Sequence, residues 1–137
     1  MPAADAFFDS NIVLYLLSAD AAKADAAEAL LMAGGVVSVQ VLNETTHVMR
    51  RKLAMPWHAI EAVQEAVRAQ CRVEPLTVET HDLGRHLAQR YGLSVYDALI
   101  VAAASLAGCR VLYSEDMQHG LVIEQRLRVV NPFVASA

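Results

Sequence analysis

The chain contains few cysteines and no long apolar segment. Its two cysteines, Cys71 and Cys109, are too few for a disulfide framework, and the sequence has no Cys-X-X-Cys motif and no Cys/His spacing typical of zinc sites. The longest uninterrupted apolar run, Ala98–Ala104, is much shorter than a membrane-spanning helix. Residues Met1–Asp5 show neither the basic start nor the apolar stretch of a secretory signal. These absences predict a protein of the reducing cytoplasm that does not contact a membrane.

The chain also lacks an excess of positive charge. It has 15 acidic residues against 11 lysines and arginines, which gives a formal net charge of −4. Because general nucleic-acid-binding proteins are usually basic, the composition disfavours that class, with one local exception in the cluster Arg50-Arg51-Lys52. Apolar residues are abundant: 55% of the 137 residues are hydrophobic, which is enough for a large core. The length predicts a single domain over residues 1–137.

Short apolar strands and helical patterns alternate along the chain. Glycines follow several of the helical patterns as stop signals. The pattern predicts strands at Ala6–Phe8, Val36–Ser38, Arg72–Glu74, Arg110–Ser114 and Arg128–Val130, and helices at Ala21–Met32, Gln40–Leu53, Val78–Tyr91 and Val95–Ala107, with a further helix beginning at Pro56. Alternation of this kind predicts an α/β fold with a parallel sheet and right-handed β-α-β connections.

Four acidic residues fall where such a fold brings chain segments together. Asp9 and Asp116 lie at or just beyond the ends of predicted strands, whereas Glu44 and Asp97 lie near the starts of predicted helices. In an open parallel sheet, strand carboxyl ends and helix amino ends share the edge where ligands bind. Carboxylates gathered at one edge repel each other unless a cation lies among them. The sequence therefore predicts a divalent-metal site.

Each of these residues also has a structural explanation. Ser94 and Asp97 fit a helix capping box, and Glu44 fits a first-turn glutamate favoured by the helix dipole. The segment Ser114–Asp116 reads equally as a polar turn, and the basic cluster as a solvated helix end. For Asp97 the two interpretations are equally supported and mutually compatible.

The helix predicted over Val95–Ala107 is apolar on nearly every side. Such a helix is usually enclosed within a domain or buried in an oligomer. The sequence leaves both interpretations open.

Four stretches of the chain match one family in order and with the usual separations. The chain resembles PIN-domain ribonucleases, and within them the VapC-type toxins of bacterial toxin–antitoxin pairs. The likeness is carried by Phe7-Phe8-Asp9-Ser10-Asn11, Ser38-Val39-Gln40-Val41-Leu42-Asn43-Glu44, Tyr91-Gly92-Leu93-Ser94-Val95-Tyr96-Asp97-Ala98-Leu99-Ile100 and Leu112-Tyr113-Ser114-Glu115-Asp116, together with Val130-Asn131-Pro132-Phe133. These motifs cover the chain from end to end.

The resemblance implies a three-layer PIN-like fold, in which a five-stranded parallel sheet of order 3-2-1-4-5 is flanked by helices. It also implies a set of site residues. Asp9, Glu44, Asp97 and Asp116 match the family's acidic quartet, Asn11 and Ser114 match its supporting polar positions, and Glu115 matches no essential position.

Carboxylates without Cys or His ligands favour a hard cation, so Mg²⁺ or Mn²⁺ is the expected cofactor. We expect Asp9, Asp97 and Asp116 to hold this ion during RNA hydrolysis. Glu44 would orient or deprotonate the attacking water, and Ser114 would fix a carboxylate or the scissile phosphate. The resemblance implies products with 5′-phosphate and 3′-hydroxyl ends.

The resemblance further implies two protein partners, a second copy of the chain in a homodimer and a cognate antitoxin. The cluster Arg50, Arg51 and Lys52 is a candidate contact for RNA phosphates. Two other enzyme-like classes fit less well. A haloacid-dehalogenase-like phosphotransferase needs a second Asp where this chain has Asn11, and a response-regulator receiver needs a late Lys, whereas the last one here is Lys52. A PIN fold kept only as a binding module remains an alternative.

Overall fold

The computed structural model describes residues 5–134. Residues 1–4 and 135–137 of the predicted domain, including most of the segment examined for a secretory signal, lie outside the described residues. The strands are β1 (Ala6–Phe8), β2 (Gly35–Ser38), β3 (Cys71–Glu74), β4 (Val111–Tyr113), β5 (Val122–Ile123) and β6 (Leu127–Val130). The helices are α1 (Ser10–Leu14), followed by a 3₁₀ turn at Tyr15–Leu17, then α2 (Ala21–Met32), α3 (Val39–Arg51), α4 (Trp57–Gln70), α5 (Val78–Tyr91) and α6 (Val95–Leu106).

The strands form one sheet of order β3-β2-β1-β4-β6-β5. Every neighbouring pair is parallel except β5 and β6, which are antiparallel. The α/β class is therefore confirmed. The predicted order 3-2-1-4-5 is also confirmed for the parallel strands, of which β6 is the fifth. From β1 the chain adds β2 and then β3 on one side, and it then returns to place β4 on the other side of β1. Because crossovers are right-handed, the helices before and after this reversal cover opposite faces of the sheet.

The predicted count of five strands is wrong, because β5 adds a sixth. This strand has only two residues and pairs with β6 through a tight turn, in which the N–H of Arg126 bonds to the carbonyl of Ile123. The two central residues, Glu124 and Gln125, have positive φ angles of 51° and 61°. Turns of this kind usually carry Asn-Gly or another glycine pair. Glu-Gln gives no such signal, so the sequence pattern did not reveal the hairpin.

Most of the predicted helices agree with the structure to within two residues at each end. Ala21–Met32 and Val78–Tyr91 have the predicted bounds, and α5 ends at Gly92, which adopts the left-handed conformation with φ 67°. The helix predicted from Gln40 begins one residue earlier and ends two residues earlier, at Arg51. Pro56 is the residue before α4 and not its first residue.

Helix α6 is buried within the chain itself. All seven residues of Ala98–Ala104 are at least 92% buried. The helix packs closely on α5, where a Cβ atom added at Gly84 would lie 2.9 Å from Leu99 Cδ2. The apolar character of α6 is thus explained by a place inside the domain, and this helix no longer argues for an oligomer.

The close pairing of β1 and β2 depends on Gly35. A Cβ atom at this position would lie 2.6 Å from the carbonyl oxygen of Ala6 and 2.7 Å from a ring carbon of Phe8. Phe7 and Phe8 are almost completely buried beside it. This packing fixes the carboxyl end of β1, where the acidic residues begin. Within residues 5–134, no helix is both long and apolar enough to cross a lipid bilayer.

Candidate active site

The acidic residues surround the junction between β1 and β4, the two strands at which the order of the sheet reverses. Phe8 and Tyr113 are register partners at the ends of these parallel strands. The next residues, Asp9 and Ser114, therefore leave the sheet side by side, and the N–H of Asp9 bonds to the carbonyl of Tyr113 at 3.0 Å. Such a reversal opens a crevice at the carboxyl edge of a parallel sheet.

Asp9 is held rigidly at this edge. It caps the amino end of α1, where its Oδ1 accepts a bond from the N–H of Ser10 at 2.6 Å. Its Oδ2 accepts a 2.7 Å bond from Ser114 Oγ, and Asn11 Nδ2 lies 3.5 Å from the same oxygen. Asp9 itself is therefore the residue that caps α1. Both carboxylate oxygens are oriented, and Oδ1, which accepts one bond, retains a lone pair for a further partner.

The charge on Asp9 is poorly compensated. The residue is only 3% exposed. Burial raises the pKa of its carboxyl from 3.8 to about 6, the hydrogen bonds from Ser114 and Ser10 oppose the rise, and the charges of Asp97 and Glu44 add to it. A nearby cation would relieve this penalty, since it would favour the ionised form.

Glu44 is positioned from α3 by two polar neighbours. Ser10 Oγ donates to its Oε1 at 2.9 Å, and Gln40 Nε2 donates to its Oε2 at 3.0 Å. Ser10 therefore connects the two acids, because its N–H bonds to Asp9 and its hydroxyl to Glu44. Neither Ser10 nor Gln40 was predicted from the sequence to support the acids. The spacing of four residues between Gln40 and Glu44 was the available signal, since residues four apart are neighbours on a helix.

Asp97 lies half-buried in the first turn of α6. Its N–H bonds to Ser94 Oγ at 3.1 Å, so the predicted cap at Ser94 is present. Burial and the negative charges of Asp116 and Glu44 raise the pKa of the Asp97 carboxyl, while a hydrogen bond from Ser94 lowers it. Asp97 thus acts both as part of a helix start and as a charge coupled to the other acids. Asp116 is exposed beyond the end of β4.

Glu115 points into a different cluster. Its carboxylate accepts a hydrogen bond from the Tyr15 hydroxyl and pairs with Lys23 Nζ at 3.1 Å, and these contacts lower the pKa of Glu115. The Lys23 ammonium also lies 4.6 Å from the centre of the Tyr15 ring. The backbone N–H of Glu115 bonds to Asn11 Oδ1 at 3.2 Å. Its side chain therefore ties the 3₁₀ turn and α2 to the β4 loop.

The basic cluster lies away from the acids, at the carboxyl end of α3. At 1.5 Å per residue, Arg50 is about 9 Å further along the helix axis than Glu44. Arg50 Nη1 bonds to the carbonyl of Met55 at 3.1 Å, and its guanidinium lies 4.9 Å from the centre of the Trp57 ring. Arg51 and Lys52 are exposed.

The donor set suits a hard cation in its chemistry. The acids supply only carboxylate oxygens, the ligand type of Mg²⁺ and Mn²⁺. Between residues 5 and 134, however, no three Asp, Glu, His or Cys side chains converge closely enough to hold one ion by themselves. Mg²⁺ does not require such a cage, because it is commonly bound by one or two carboxylates, several waters and the substrate's phosphate. The residues fit an ion held in that open manner.

Comparisons with known proteins agree with this architecture. A family model described as the PIN domain matches residues 6–121. A toxin–antitoxin complex from Klebsiella pneumoniae is similar at 24% identity with a TM-score of 0.70, over 94% of this chain and 98% of that one. VapC20 from Mycobacterium tuberculosis, a toxin that cleaves the sarcin-ricin loop, is similar at 24% identity with a TM-score of 0.66, over 82% of this chain and 90% of that one.

A third solved structure, FitAcB from Neisseria gonorrhoeae, has 15% identity and a TM-score of 0.63, over 93% of this chain and 98% of that one. At these identities the likeness concerns the fold. No curated protein sequence matches the chain.

Proposed function

The chain belongs to the PIN-domain family, and on that premise we propose that it is a metal-dependent endoribonuclease, the toxin of a type II toxin–antitoxin pair. The observation that carries this proposal is the electrostatic coupling of Asp9, Glu44, Asp97 and Asp116 at the sheet reversal. Burial and the neighbouring negative charges disfavour the ionised form of Asp9, and helix capping alone does not require this cost. Family membership leaves the phosphotransferase and receiver alternatives without support.

In this proposal Asp9, Asp97 and Asp116 would hold Mg²⁺ or Mn²⁺, directly or through water. When bound, such an ion would supply positive charge that offsets the charge of the phosphodiester and lowers the pKa of a water. Ser114 orients the Asp9 carboxylate through the 2.7 Å bond, and Asn11 supports both Asp9 and the β4 loop. Of the two roles expected for Ser114, the contact favours fixing a carboxylate over fixing the phosphate.

Glu44 orients the attacking water and accepts its proton. Its two oxygens are already fixed by Ser10 and Gln40, so the remaining lone pairs have defined directions. The water oxygen bonds to phosphorus, the bond to the 3′ oxygen breaks, and the departing 3′ oxygen takes a proton from solvent. The products carry a 5′-phosphate and a 3′-hydroxyl.

Cleavage of total bacterial RNA by the purified protein tests the proposal. We expect discrete fragments with Mg²⁺ or Mn²⁺, no fragments with EDTA, and no fragments from Asp9→Asn or Asp116→Asn proteins purified identically. Asparagine is as good a helix cap as aspartate, so Asp9→Asn should fold normally. Fragments that persist in the Asp9→Asn protein would come from a contaminating nuclease or from another site, and would contradict the proposal.

The absence of a ready three-ligand group among residues 5–134 favours one alternative, a PIN fold that binds RNA or protein without cleaving it. Titration with Mn²⁺ separates the two. A nuclease site should bind the ion in the wild-type protein and lose that affinity in Asp9→Asn. A binding-only module should show equal and weak affinity in both proteins.

The proposed partners are a cognate antitoxin and a second copy of the chain. Support for the antitoxin comes from similar structures that are toxin–antitoxin complexes. Growth arrest of a bacterial host on expression of the wild type but not of Asp9→Asn would support the toxin role. Sedimentation of the purified chain tests the homodimer, which now depends on the family resemblance alone because α6 is buried within the chain.

A further inference from the structure

A groove beside the acidic residues has no role in the chemistry described above. It encloses about 540 Å³ between α3 and the first turn of α6, and is lined by Gln40, Asn43, Glu44, His47, Val48 and Tyr96. This volume is in the usual range for small-ligand sites. Glu44 belongs both to the groove and to the acidic quartet. A strand whose phosphate lies at the acids therefore leads directly into the groove.

Tyr96 supplies an exposed aromatic surface at the start of this groove. It immediately precedes Asp97 in the first turn of α6, and it is 67% exposed. Its ring therefore faces solvent directly beside the acidic site. Next to a site for nucleic acid, the partner with the matching chemistry is an unpaired nucleobase, since every base presents a π-face.

A stripe of side chains along α3, buried at Gln40 and exposed at His47, leads from the groove toward a positive charge. Gln40, Glu44, His47 and Arg51 are separated by four, three and four residues, so they form one stripe along the helix. The stripe begins beside the acids and ends at the exposed Arg51. Arg50 lies on another face of α3, where it contacts Met55 and Trp57. Only one arginine of the basic cluster therefore lies in line with the groove.

We propose that this groove binds single-stranded RNA, with a nucleobase stacked on Tyr96 and the phosphate of a further nucleotide paired with Arg51. The proposal rests on the proposed function, because the strand must pass through the acidic site. Asn43 and His47 supply polar groups between the two anchors. A duplex does not fit this mode of binding, because its bases are already stacked and paired.

A second copy of the chain is a less suitable occupant. The cores of interfaces between protein copies are depleted in charged groups. The charged Glu44 forms part of the groove wall here and must stay accessible to substrate. The charge of the groove changes from negative at the acids to positive at Arg51. An RNA strand matches this change, because one of its phosphates would lie at the cation held by the acids and another would pair with Arg51.

Binding of a fluorescein-labelled single-stranded RNA of mixed sequence tests the proposal. The experiment uses the Asp9→Asn protein, which should bind without cleaving. Adding Tyr96→Ala should weaken binding about 5- to 150-fold, the range for loss of one base–aromatic stack. Adding Tyr96→Phe should leave affinity within about twofold, because the ring is kept. The same RNA in a duplex should bind equally well to all of these proteins.

Arg51 is tested by the salt dependence of binding. Arg51→Ala should reduce the slope of log affinity against log salt by about 0.7, the value for one phosphate contact with a single strand. Arg50→Ala and Lys52→Ala are the matched controls, and both should leave the slope unchanged. A fall in slope for the controls equal to that for Arg51→Ala would overturn the assignment of Arg51.

Stacking is observed directly with a relocated tryptophan. Trp57 is the only tryptophan of the chain, and Trp57→Phe removes its fluorescence. In that background Tyr96→Trp places an indole at the groove, and its emission should be quenched by the single-stranded RNA. A ribose-phosphate strand without bases should bind more weakly and should not quench. Equal quenching by both strands would contradict base stacking.

Two results would overturn the groove proposal. One is unchanged affinity of Tyr96→Ala for single-stranded RNA. The other is a change in sedimentation caused by Tyr96→Ala, which would make the groove an interface between copies of the chain. Both are distinct from failure of the nuclease. RNA binding through Tyr96 by a wild-type protein that cleaves nothing would reject only the proposed enzyme, whereas metal-dependent cleavage that ignores Tyr96 would reject only the groove.

Discussion

Ser114 Oγ donates a hydrogen bond to Asp9 Oδ2 at 2.7 Å, and this bond joins the ends of the neighbouring strands β1 and β4. Ser114 is completely buried, and its hydroxyl oxygen also accepts a bond from the N–H of Met117 at 3.3 Å. The bond to Asp9 lowers the pKa of that carboxyl, which burial raises. Ser114 therefore helps to determine both the direction and the ionisation of Asp9.

Replacement of Ser114 by alanine should impair cleavage more than folding. Loss of a hydrogen bond to a charged group costs about 1.5–3 kcal/mol, so activity at neutral pH should fall about 10- to 150-fold. The pKa of Asp9 should rise further, and the rising limb of the pH–rate profile should move to higher pH. Measurement of cleavage rate against pH tests both effects.

Ser105→Ala is a suitable control for that variant, because Ser105 is a half-buried serine in the last turn of α6, about 12 Å along the helix axis from Asp97. It should leave the pH profile unchanged. An unaltered profile in Ser114→Ala would show that the bond to Asp9 has no part in the reaction.

The stability of the metal-free protein should decrease with rising pH because of Asp9. Its folded-state pKa, about 6, lies above 3.8, the ordinary value for an aspartate. The folded protein therefore binds this proton more tightly than the unfolded chain, and the stabilisation is complete below pH about 4 and is lost as pH rises through about 6. A difference of this size is worth about 3 kcal/mol. Urea unfolding in EDTA across that range measures it.

Asp9→Asn identifies the source of this pH dependence. The variant should be the more stable protein at neutral pH without metal, and its unfolding free energy should vary less over the same range. Asp97 contributes in the same direction, since its pKa is also raised, and Glu115 contributes in the opposite direction. Identical pH dependence in the wild type and Asp9→Asn would show that Asp9 ionises normally in the folded protein.

Glu115 and Asp116 are adjacent in sequence but should respond differently to neutralisation. Glu115→Gln weakens the contacts to Tyr15 and Lys23, so it should lower the unfolding free energy and leave the cleavage rate nearly unchanged. Asp116→Asn should abolish cleavage and preserve stability. Thermal melting and RNA cleavage on the two proteins provide the comparison. Loss of cleavage in a stable Glu115→Gln protein would assign Glu115 to the reaction.

Gly35→Ala should strongly destabilise the fold. The added methyl group would collide with the backbone oxygen of Ala6 and the ring of Phe8, so β1 and β2 would have to separate. Overpacking of this kind costs about 1–3 kcal/mol. Gly120→Ala is the control, because it has free space around it and only the strain of its φ of 86°, worth about 1–2 kcal/mol. If the core variant is no less stable than the control, the close approach at Gly35 is not required.

The sequence was sufficient for the parallel part of the fold because β1, β2 and β3 are short strands that are each followed by a helix, and because glycines mark the ends of several helices. It was not sufficient for β5, since the turn at Glu124 and Gln125 lacks the usual glycine. The positions of Asp9, Glu44, Asp97 and Asp116 followed from strand and helix ends. The supporting contacts did not follow from the sequence. Ser10 bonds to Glu44, which is 34 residues away, and Gln40 resembles any polar residue of a helix.

The basic cluster illustrates a different limit. Three consecutive charges, Arg50, Arg51 and Lys52, look equivalent in the sequence. On a helix they point in different directions, and Arg50 is occupied by Met55 and Trp57. Only the structure shows that Arg51 lies in line with the acids and that Arg50 does not.

Asp9 and Ser114 are 105 residues apart in the chain. During synthesis on a ribosome, the first of them emerges when most of the fold does not yet exist, and the second emerges only after β2, β3 and their helices. The acidic pocket therefore cannot be assembled on a partly made chain. If the protein is the nuclease that we propose, its activity is withheld from the translation machinery that produces it until almost the whole polypeptide has been made.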